Sequence, residues 1–381
     1  MRKKKILFTA PLPPPFAGPE SSAKFFIESG IDNFFDISVF NTNFRKSNSQ
    51  KGKIGFASIL IFFRFIAELK WRLMTYRPHI VYYYVTATIQ GWLFKDIWAI
   101  FISRVLGAKV VIHFRASHFV RNYNTTSVFN KWLIIKSLKM CSKILAQSES
   151  IAQSIESISP DIHCDFVYNM IKVDLNSESK ALSYNPNNFL FLGHLSHAKG
   201  YCDILKVIPS IAQKYPNVKF LFAGTPTMVE RNIFHNSVTG KSINFEDPFV
   251  VFEKYIHGKY EQNYQYLGIL DFIEKYEVIA NCNTLLLPSY SEGFSMSVLE
   301  AIAYSKPIIC TPVGAMRDVL KEGENALFVN PGDLKALESA IVRIIEDRDL
   351  RDLISKNNLE LSKSFSPEVL VTKYLQIFNS I

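Results

Sequence analysis

Short apolar runs alternate along this chain with stretches whose apolar positions recur every three or four residues. The first run, Ile6-Leu7-Phe8-Thr9-Ala10, reads as a buried strand that ends in a Pro/Gly loop from Pro11 to Pro19. A helix is expected from Ser21 or Ser22, with Glu20 or the serines at its N-terminus, where side-chain oxygens accept from unpaired backbone N–H groups. Residues 41–53 are rich in Lys, Ser and Asn and read as an exposed loop. From 54 to 76, apolar and basic residues share a helical spacing: Phe63, Phe65, Ile66, Leu69, Trp71 and Leu73 run beside Arg64, Lys70, Arg72 and Arg77. Strands are expected at Ile80 to Tyr84, Lys109 to Phe114 and Lys143 to Ala146, with helices over 91–106 and from Ser148 or Ser150. Strand then helix, repeated, is the order of a parallel sheet wrapped by helices.

A polar stretch from Asp174 to Asn187 reads as a linker, and the pattern then restarts. Strands are expected at Phe189 to Gly193, Val218 to Ala223, Thr284 to Leu287 and Pro307 to Thr311. Helices are expected over 200–214, 270–281, 294–304, 333–346 and 348–363, while 225–262 reads as irregular. The 381 residues are therefore α/β throughout: two doubly wound, Rossmann-like domains facing each other across a cleft, one over 1–173 and one over 174–363. Ligands of open α/β sheets bind at the loops that leave the strand C-termini. Two such domains suit a two-substrate enzyme that closes on its ligands.

Composition narrows this. Hydrophobic residues at 48% and charged residues at 20% exclude disorder as a description of the chain. The 5 Cys are widely spaced with no C-x-x-C, so neither a disulfide scaffold nor a zinc ribbon is expected, and a reducing cytosol fits. Met1-Arg2-Lys3-Lys4-Lys5 looks like the basic start of an export signal. The apolar run behind it stops at Pro11, short of the roughly 7–15 residues that export needs. The run from Ile54 to Phe63 is broken by Arg64, well short of the about 20 residues that span a bilayer. Charge is uneven: residues 1–150 hold 22 Lys/Arg against 7 Asp/Glu, and 151–381 hold 21 against 27. A basic half calls for an anionic partner or a reason to tolerate self-repulsion, and nucleic acid, anionic lipid and a phosphorylated substrate all qualify as partners.

Two loops have the means for chemistry. Ser289-Tyr290-Ser291-Glu292-Gly293-Phe294-Ser295 leaves a strand at Pro288 and enters a helix near Phe294. The N–H groups of Phe294 and Ser295 would then sit at a helix N-terminus, which attracts anions. Glu292 precedes that point, and Glu300 lies about 12 Å further along if the interval is fully helical. Two carboxylates flanking an anion site suit a molecule with a sugar at each end of a diphosphate, since carboxylates accept from paired hydroxyls. The plain alternative is one surface Glu and one helix-face Glu. In the second loop, Gly193-His194-Leu195-Ser196-His197-Ala198-Lys199-Gly200, Lys199 could neutralise a diphosphate or could be an ordinary exposed lysine.

Together these loops resemble retaining glycosyltransferase family 4, which has the GT-B fold. Phe191-Leu192-Gly193 with Lys199-Gly200 matches its strand and K-G. Glu292-Gly293-Phe294 through Leu299-Glu300-Ala301 matches its E-x7-E motif. Lys306-Pro307-Ile308-Ile309, Val313-Gly314, Glu324-Asn325-Ala326-Leu327, Pro331-Gly332-Asp333 and Val167-Tyr168-Asn169 match as well, strongly over 186–355 and more loosely over 1–185. The resemblance implies a retaining, hexosyltransferase-type enzyme that moves a sugar from a nucleotide-diphosphate sugar to an acceptor hydroxyl. It implies that the first domain binds the acceptor, the second binds the nucleotide sugar, and a C-terminal helix over 364–381 packs back on the first.

It also implies roles. Glu300 would bind the ribose. Glu292 would bind the transferred sugar near the reacting carbon, helped by the backbone of Gly293, Phe294 and Ser295. Lys199 would hold the diphosphate as charge develops on it. Gly18, Gly193, His194 and Gly224 would line the donor site, with Gly268 and Ile269 reading the nucleobase. The family has Arg where His194 stands, which removes one permanent charge unless His194 is protonated. It often has His where Arg115 stands, so His113, Arg115 and His118 are all candidates on the acceptor side. Ser305 stands where Gly is common.

No metal or other cofactor is expected. Asp347-Arg348-Asp349 is a D-x-D by spelling in a charged helical segment, and His194 with His197 has no third ligand nearby. The basic first half, with its aromatic segment 54–77, fits an anionic membrane surface and a lipid-linked saccharide acceptor in bacterial surface-polysaccharide synthesis, lipopolysaccharide or capsule. The enzyme would then be cytoplasmic and peripheral on the inner face of the cell membrane. The plain alternative for 54–77 is a core helix with a basic wet face. An epimerase or phosphorylase on the same fold is the nearest rival activity. Nucleic-acid binding lacks a recognisable motif, and a nicotinamide enzyme lacks a G-x-G-x-x-G after a strand.

Overall fold

The structure is a computed structural model that describes residues 3–14, 18–43, 56–171, 185–226, 236, 238–240 and 242–381. Most of the expected loop 41–53 and of the expected linker 174–187 lies outside the described residues. The chain divides into two compact units, residues 1–172 with 365–381, and residues 173–364.

Unit one carries β1 (Lys5–Ala10), α1 (Gly18–Ile27), β2 (Asp36–Asn41), α2 (Phe56–Tyr76), β3 (Ile80–Val85), α3 (Ile89–Gly91), α4 (Ile97–Val105), β4 (Lys109–Phe114), α5 (Phe119–Asn124), α6 (Val128–Lys139), β5 (Lys143–Ala146), α7 (Glu149–Glu156) and β6 (Cys164–Phe166). Its strands form one parallel sheet in the order β2-β1-β3-β4-β5-β6. Every residue of β3 is buried, because a parallel sheet covered on both faces needs apolar side chains at odd and even positions alike. Strand order reverses between β1 and β3, which is the switch point of this sheet. The loop after β3 is pinned by a buried carboxylate: Asp96 accepts from the Thr86 N–H at 2.8 Å and from the Tyr83 hydroxyl. Burial pushes the Asp96 carboxyl up, and Lys95 opposes that shift.

Unit two carries β7 (Asn188–Leu192), α8 (Tyr201–Lys214), β8 (Lys219–Ala223), α9 (Pro248–Tyr255), β9 (Tyr264–Gly268), α10 (Phe272–Asn281), β10 (Thr284–Leu287), α11 (Met296–Ala303), β11 (Ile308–Cys310), α12 (Met316–Val319), β12 (Leu327–Phe328), α13 (Leu334–Glu346) and α14 (Arg348–Ser362). Its parallel sheet runs β12-β11-β10-β7-β8-β9, so order reverses between β7 and β10. The last helix, α15 (Pro367–Asn379), returns to unit one, where Tyr374 meets the Tyr82 hydroxyl at 3.0 Å.

Several expectations need correction. The first helix starts at Gly18, earlier than Ser21 or Ser22. The helix expected over 91–106 is interrupted by a π turn, Trp92–Asp96, which turns Trp92 into the core and Asp96 beneath the loop after β3. Residues 225–262 are not irregular throughout, since Asp247 caps α9 through the Phe249 N–H. The edge strands β2 and β9 escape notice because they are half-exposed and carry Asp, Asn, Gln or Gly. Helix α6 escapes because apolar residues occupy both its faces, which hides the helical period.

Candidate active site

The two loops singled out in unit two leave the two strands that flank its switch point, β7 and β10. That is where a doubly wound sheet opens a crevice for a ligand. Glycines bring the loops together. Gly200 has φ +78°, and a Cβ there would lie 2.3 Å from the Pro288 carbonyl oxygen. The Tyr290 N–H donates to the Ala198 carbonyl at 2.9 Å, joining the loops edge to edge.

This seam places Lys199 against Glu292. The ammonium Nζ lies 2.5 Å from Glu292 Oε1, and the Ser289 hydroxyl donates to the same oxygen at 2.9 Å. The Glu292 side chain is only 7% exposed while Lys199 keeps 29%, so the pair presents its cation more than its anion. Gly314, at φ +56°, closes the site from the β11 side, and the Ala315 N–H donates to the Gly293 carbonyl at 2.8 Å. Helix α11 begins at Met296 with Ser295 as its N-cap, two residues later than expected, so the interval from Glu292 to Glu300 is not fully helical. Ser297 ties that N-terminus to the end of β7 through the Leu192 carbonyl, at 2.7 Å.

Glu300 lies on α11, buried, with its Oε1 2.6 Å from Lys275 Nζ of α10. Burial raises the Glu300 carboxyl above its ordinary range, and Lys275 opposes the shift. Lys275 lies over the rings of Phe272 and Tyr276, 5.2 and 5.0 Å from their centroids. The exits of β7, β8 and β9 meet at glycines. A Cβ on Gly224 would lie 1.8 Å from the Gly193 carbonyl oxygen, and the Gly224 N–H donates to Gly268 at 2.8 Å. Ile269 beside them is exposed, and His194 is half-buried.

A buried polar layer supports the Tyr290 loop. The Tyr290 hydroxyl donates to Asp203 Oδ2 at 2.8 Å, and burial pushes the Asp203 carboxyl up to about 6. His197 accepts the Glu246 N–H at Nδ1, 2.9 Å away, and burial lowers its pKa while the Glu246 carboxylate opposes the shift. Among the described residues, His197, Asp203 and Glu246 form the one group of acids and histidines spaced to hold a metal ion. Lys206 bonds the Glu246 carboxylate of that group.

In unit one, Gly18 is the exposed first residue of α1. His113 ends up fully buried, with Nδ1 2.7 Å from the Tyr82 hydroxyl and Nε2 3.5 Å from Arg115. Burial, then Arg115, pushes its pKa well down. The Arg115 guanidinium bonds Ser22 and Asn169 and sits 4.6 Å from the Tyr84 ring centroid. His118 is exposed, immediately before α5. Sequence reasoning assigned no role to Ser289, Lys275, Asp203 or Asn169. Ser289 stood in the singled-out loop and Asn169 at the end of Val167-Tyr168-Asn169, whereas Lys275 and Asp203 had no signal.

The fold is thus that of a ligand-binding enzyme with two doubly wound units and a cation-carboxylate pair at one switch point. Residues 173–360 match the model of the glycosyl transferases group 1 family. It is similar to the capsular polysaccharide biosynthesis glycosyltransferase CapM of Staphylococcus aureus, 27% identical over 199 residues, which cover 51% of this chain and 47% of that one. It is also similar to the N,N'-diacetylbacillosaminyl-diphospho-undecaprenol alpha-1,3-N-acetylgalactosaminyltransferase of Campylobacter jejuni, 29% identical over 105 residues, 28% of each chain. The match spans about half the length of curated relatives. Among solved structures, Anabaena HepE in complex with UDP and glucose has the same GT-B fold, with TM-score 0.67, 17% identity and coverage of 99% of this chain and 100% of that one.

Proposed function

We propose that this protein is a retaining glycosyltransferase that moves a sugar from a nucleotide-diphosphate sugar, a uridine nucleotide by analogy with HepE, to an acceptor hydroxyl. The observation that carries the reading is the Lys199–Glu292 pair at the β7/β10 switch point, beside the start of α11. An ammonium has three donors, and Glu292 occupies one, which leaves Lys199 able to bond a diphosphate. As the bond from the anomeric carbon to the diphosphate breaks, Lys199 stabilises the charge on the departing nucleoside diphosphate. The acceptor oxygen bonds to the same face of the carbon, and its proton passes to the departing diphosphate. Glu292 orients the transferred sugar, and Glu300 accepts from the ribose hydroxyls. The amides of Gly293 to Ser295 line the phosphate side, with Gly193, His194 and Gly224 opposite. Gly268 and Ile269 face the base. The charge comes from Lys199, so turnover needs no metal ion and survives EDTA.

Unit one is assigned to the acceptor. Arg115 is its polar contact, with His113 a positioning residue behind it and His118 at the rim. The Campylobacter relative's name carries a lipid diphosphate, and we take the acceptor to be a lipid-linked saccharide in bacterial surface-polysaccharide synthesis. The enzyme then works peripherally at the cytoplasmic face of a membrane.

A thermal-shift panel of nucleoside diphosphates and their sugars identifies the donor, because a bound ligand raises the melting point by mass action. With that donor, Glu292→Ala lowers turnover by about a hundredfold or more, while Glu300→Ala mainly weakens nucleotide binding. Nucleotide release only when acceptor is added separates transfer from epimerisation or phosphorolysis. Native rates in both variants sink the assignment.

A further inference from the structure

The chain has four Trp, and three of them stand on the surface of unit one. Trp71, Trp98 and Trp132 are 62%, 48% and 53% exposed, one each on α2, α4 and α6. The fourth, Trp92, is fully buried. These helices are neighbours, α2 against α4 and α4 against α6. The rings of Phe62 and Phe94, 5.4 Å apart, join α2 to the π turn before α4.

Each helix already buries a face in the unit-one core: Phe65, Leu69 and Leu73 on α2, Ile100 on α4, Ile134 and Leu138 on α6. The exposed apolar residues are a second face that the fold does not use. On α2 they are Leu60, Phe63, Trp71 and Met74, at helical spacing. Phe94, Trp98, Phe101 and Val105 repeat at four, three and four residues through the π turn and α4. Phe129 and Trp132 stack on α6.

Charge decides what covers this face. Residues 56–76, 92–105 and 128–139 together hold 8 Lys/Arg and 2 Asp/Glu. Of the two acids, Asp96 is buried and Glu68 is bonded to Arg72. A second copy of the chain would set two positive faces against each other. An anionic bilayer complements the charge, and Trp and Phe are the side chains that settle at its headgroup level. No helix among the described residues is long and apolar enough to cross a membrane.

We propose that α2, α4 and α6 form one platform that docks unit one onto an anionic lipid bilayer, its three tryptophans in the headgroup layer. The proposal extends the reading of a membrane-borne acceptor from one segment to a three-helix surface, and it is tested without any acceptor. The full chain is mixed with vesicles of phosphatidylglycerol and phosphatidylethanolamine, some carrying brominated acyl chains. Co-flotation with these vesicles is expected, at least tenfold above that with phosphatidylcholine alone. Bromine quenches the exposed tryptophans. The triple variant Trp71→Ser/Trp98→Ser/Trp132→Ser loses flotation at least tenfold and keeps unquenched Trp92 emission, which reports that the core stays folded. Lys70→Glu/Lys136→Glu loses flotation at low salt. Absence of wild-type flotation overturns the platform, as does undiminished flotation of the triple variant. A wild-type dimer in sedimentation that the triple variant dissolves makes the occupant a second copy and also overturns it. The nucleotide-induced thermal shift stays unchanged in these variants. Its absence from the wild type counts against the glycosyltransferase reading and leaves the platform standing.

Discussion

Gly314 lies outside the two loops with the charged pair, yet its replacement tests how tightly that pair is held. A Cβ at position 314 would stand 2.3 Å from the Gly293 carbonyl oxygen and 2.4 Å from that of Glu292, against a floor of 3.0 Å for real Cβ contacts. The Glu292–Gly293 backbone therefore retreats by at least 0.7 Å in Gly314→Ala. Its neighbours resist, because Gly293 accepts from Ala315 and Thr311 donates to Ser289. The φ of +56° adds a backbone cost of about 1–2 kcal/mol for a residue with a side chain. A displacement near 1 Å at a reacting centre costs on the order of a hundredfold in rate. Gly258→Ala is the matched control: its φ is +70°, with nothing within 4 Å of the new Cβ. Denaturant melts, with calorimetric titration of whichever nucleotide the thermal-shift panel selects, separate the two. Gly258→Ala should lose about 1–2 kcal/mol of stability and bind nucleotide normally. Gly314→Ala should lose about 2–4 kcal/mol and bind at least tenfold more weakly, with turnover down about a hundredfold. Equal behaviour of the two variants would refute the view that this close approach sets the position of Glu292.

Asp203→Asn tests the buried layer. The folded carboxyl titrates at about 6, above its ordinary value, so the folded state holds the proton more tightly. That contribution is fully present below about pH 4 and is lost as pH rises through about 6, about 3 kcal/mol in all. Urea midpoints at pH 4.5 and 7 should show the loss in wild type and not in Asp203→Asn. Lys275→Met leaves Glu300 buried without its cation and should cost about 3 kcal/mol, most of it recovered in Lys275→Met/Glu300→Gln; a thermodynamic cycle of melts measures this. Asn169→Ala removes a partner of Arg115 and should raise the KM for acceptor several-fold with nucleotide affinity unchanged. A fall in nucleotide affinity instead would contradict the assignment of unit one.

What could be read in the sequence divides along physical lines. The strands of both sheets' interiors were legible because burial on two faces leaves short unbroken apolar runs such as Ile80 to Val85 and Thr284 to Leu287. Edge strands β2 and β9 lack that signature, and the π turn over Trp92–Asp96 has none in an otherwise helical pattern. Lys199 and Glu292 were legible because each lies in a loop between a strand and a helix, where a doubly wound sheet keeps its ligand loops. Their contact was not, since 93 residues separate them and only the strand order brings them together. Lys275 was invisible for the same reason, as a lysine in a helix 25 residues before Glu300. His113 stood beside Arg115 in the reading, but its burial follows from β4 running through the sheet centre and could not be seen from spacing.

The two acids of the E-x7-E segment share a design that explains why both can be buried. Glu292 and Glu300 each meet a lysine from another element, one from the loop after β7 and one from α10. An uncompensated buried carboxylate takes up a proton, and a protonated acid is a poorer acceptor for sugar hydroxyls. Lys275 opposes that at Glu300 by Coulomb attraction while bonding its Oε1. A carboxylate offers about four acceptor directions, so Glu300 keeps others for ligand hydroxyls. The difference between the pairs lies in exposure. The Lys199 ammonium is within reach of solvent, whereas Lys275 is packed between two rings and Glu300 is nearly sealed. On the proposed reading, a donor phosphate therefore competes for Lys199 and leaves Lys275 in place. One lysine is exchangeable and suits the part of a donor that changes charge during transfer; the other is fixed and suits the part that only has to be held.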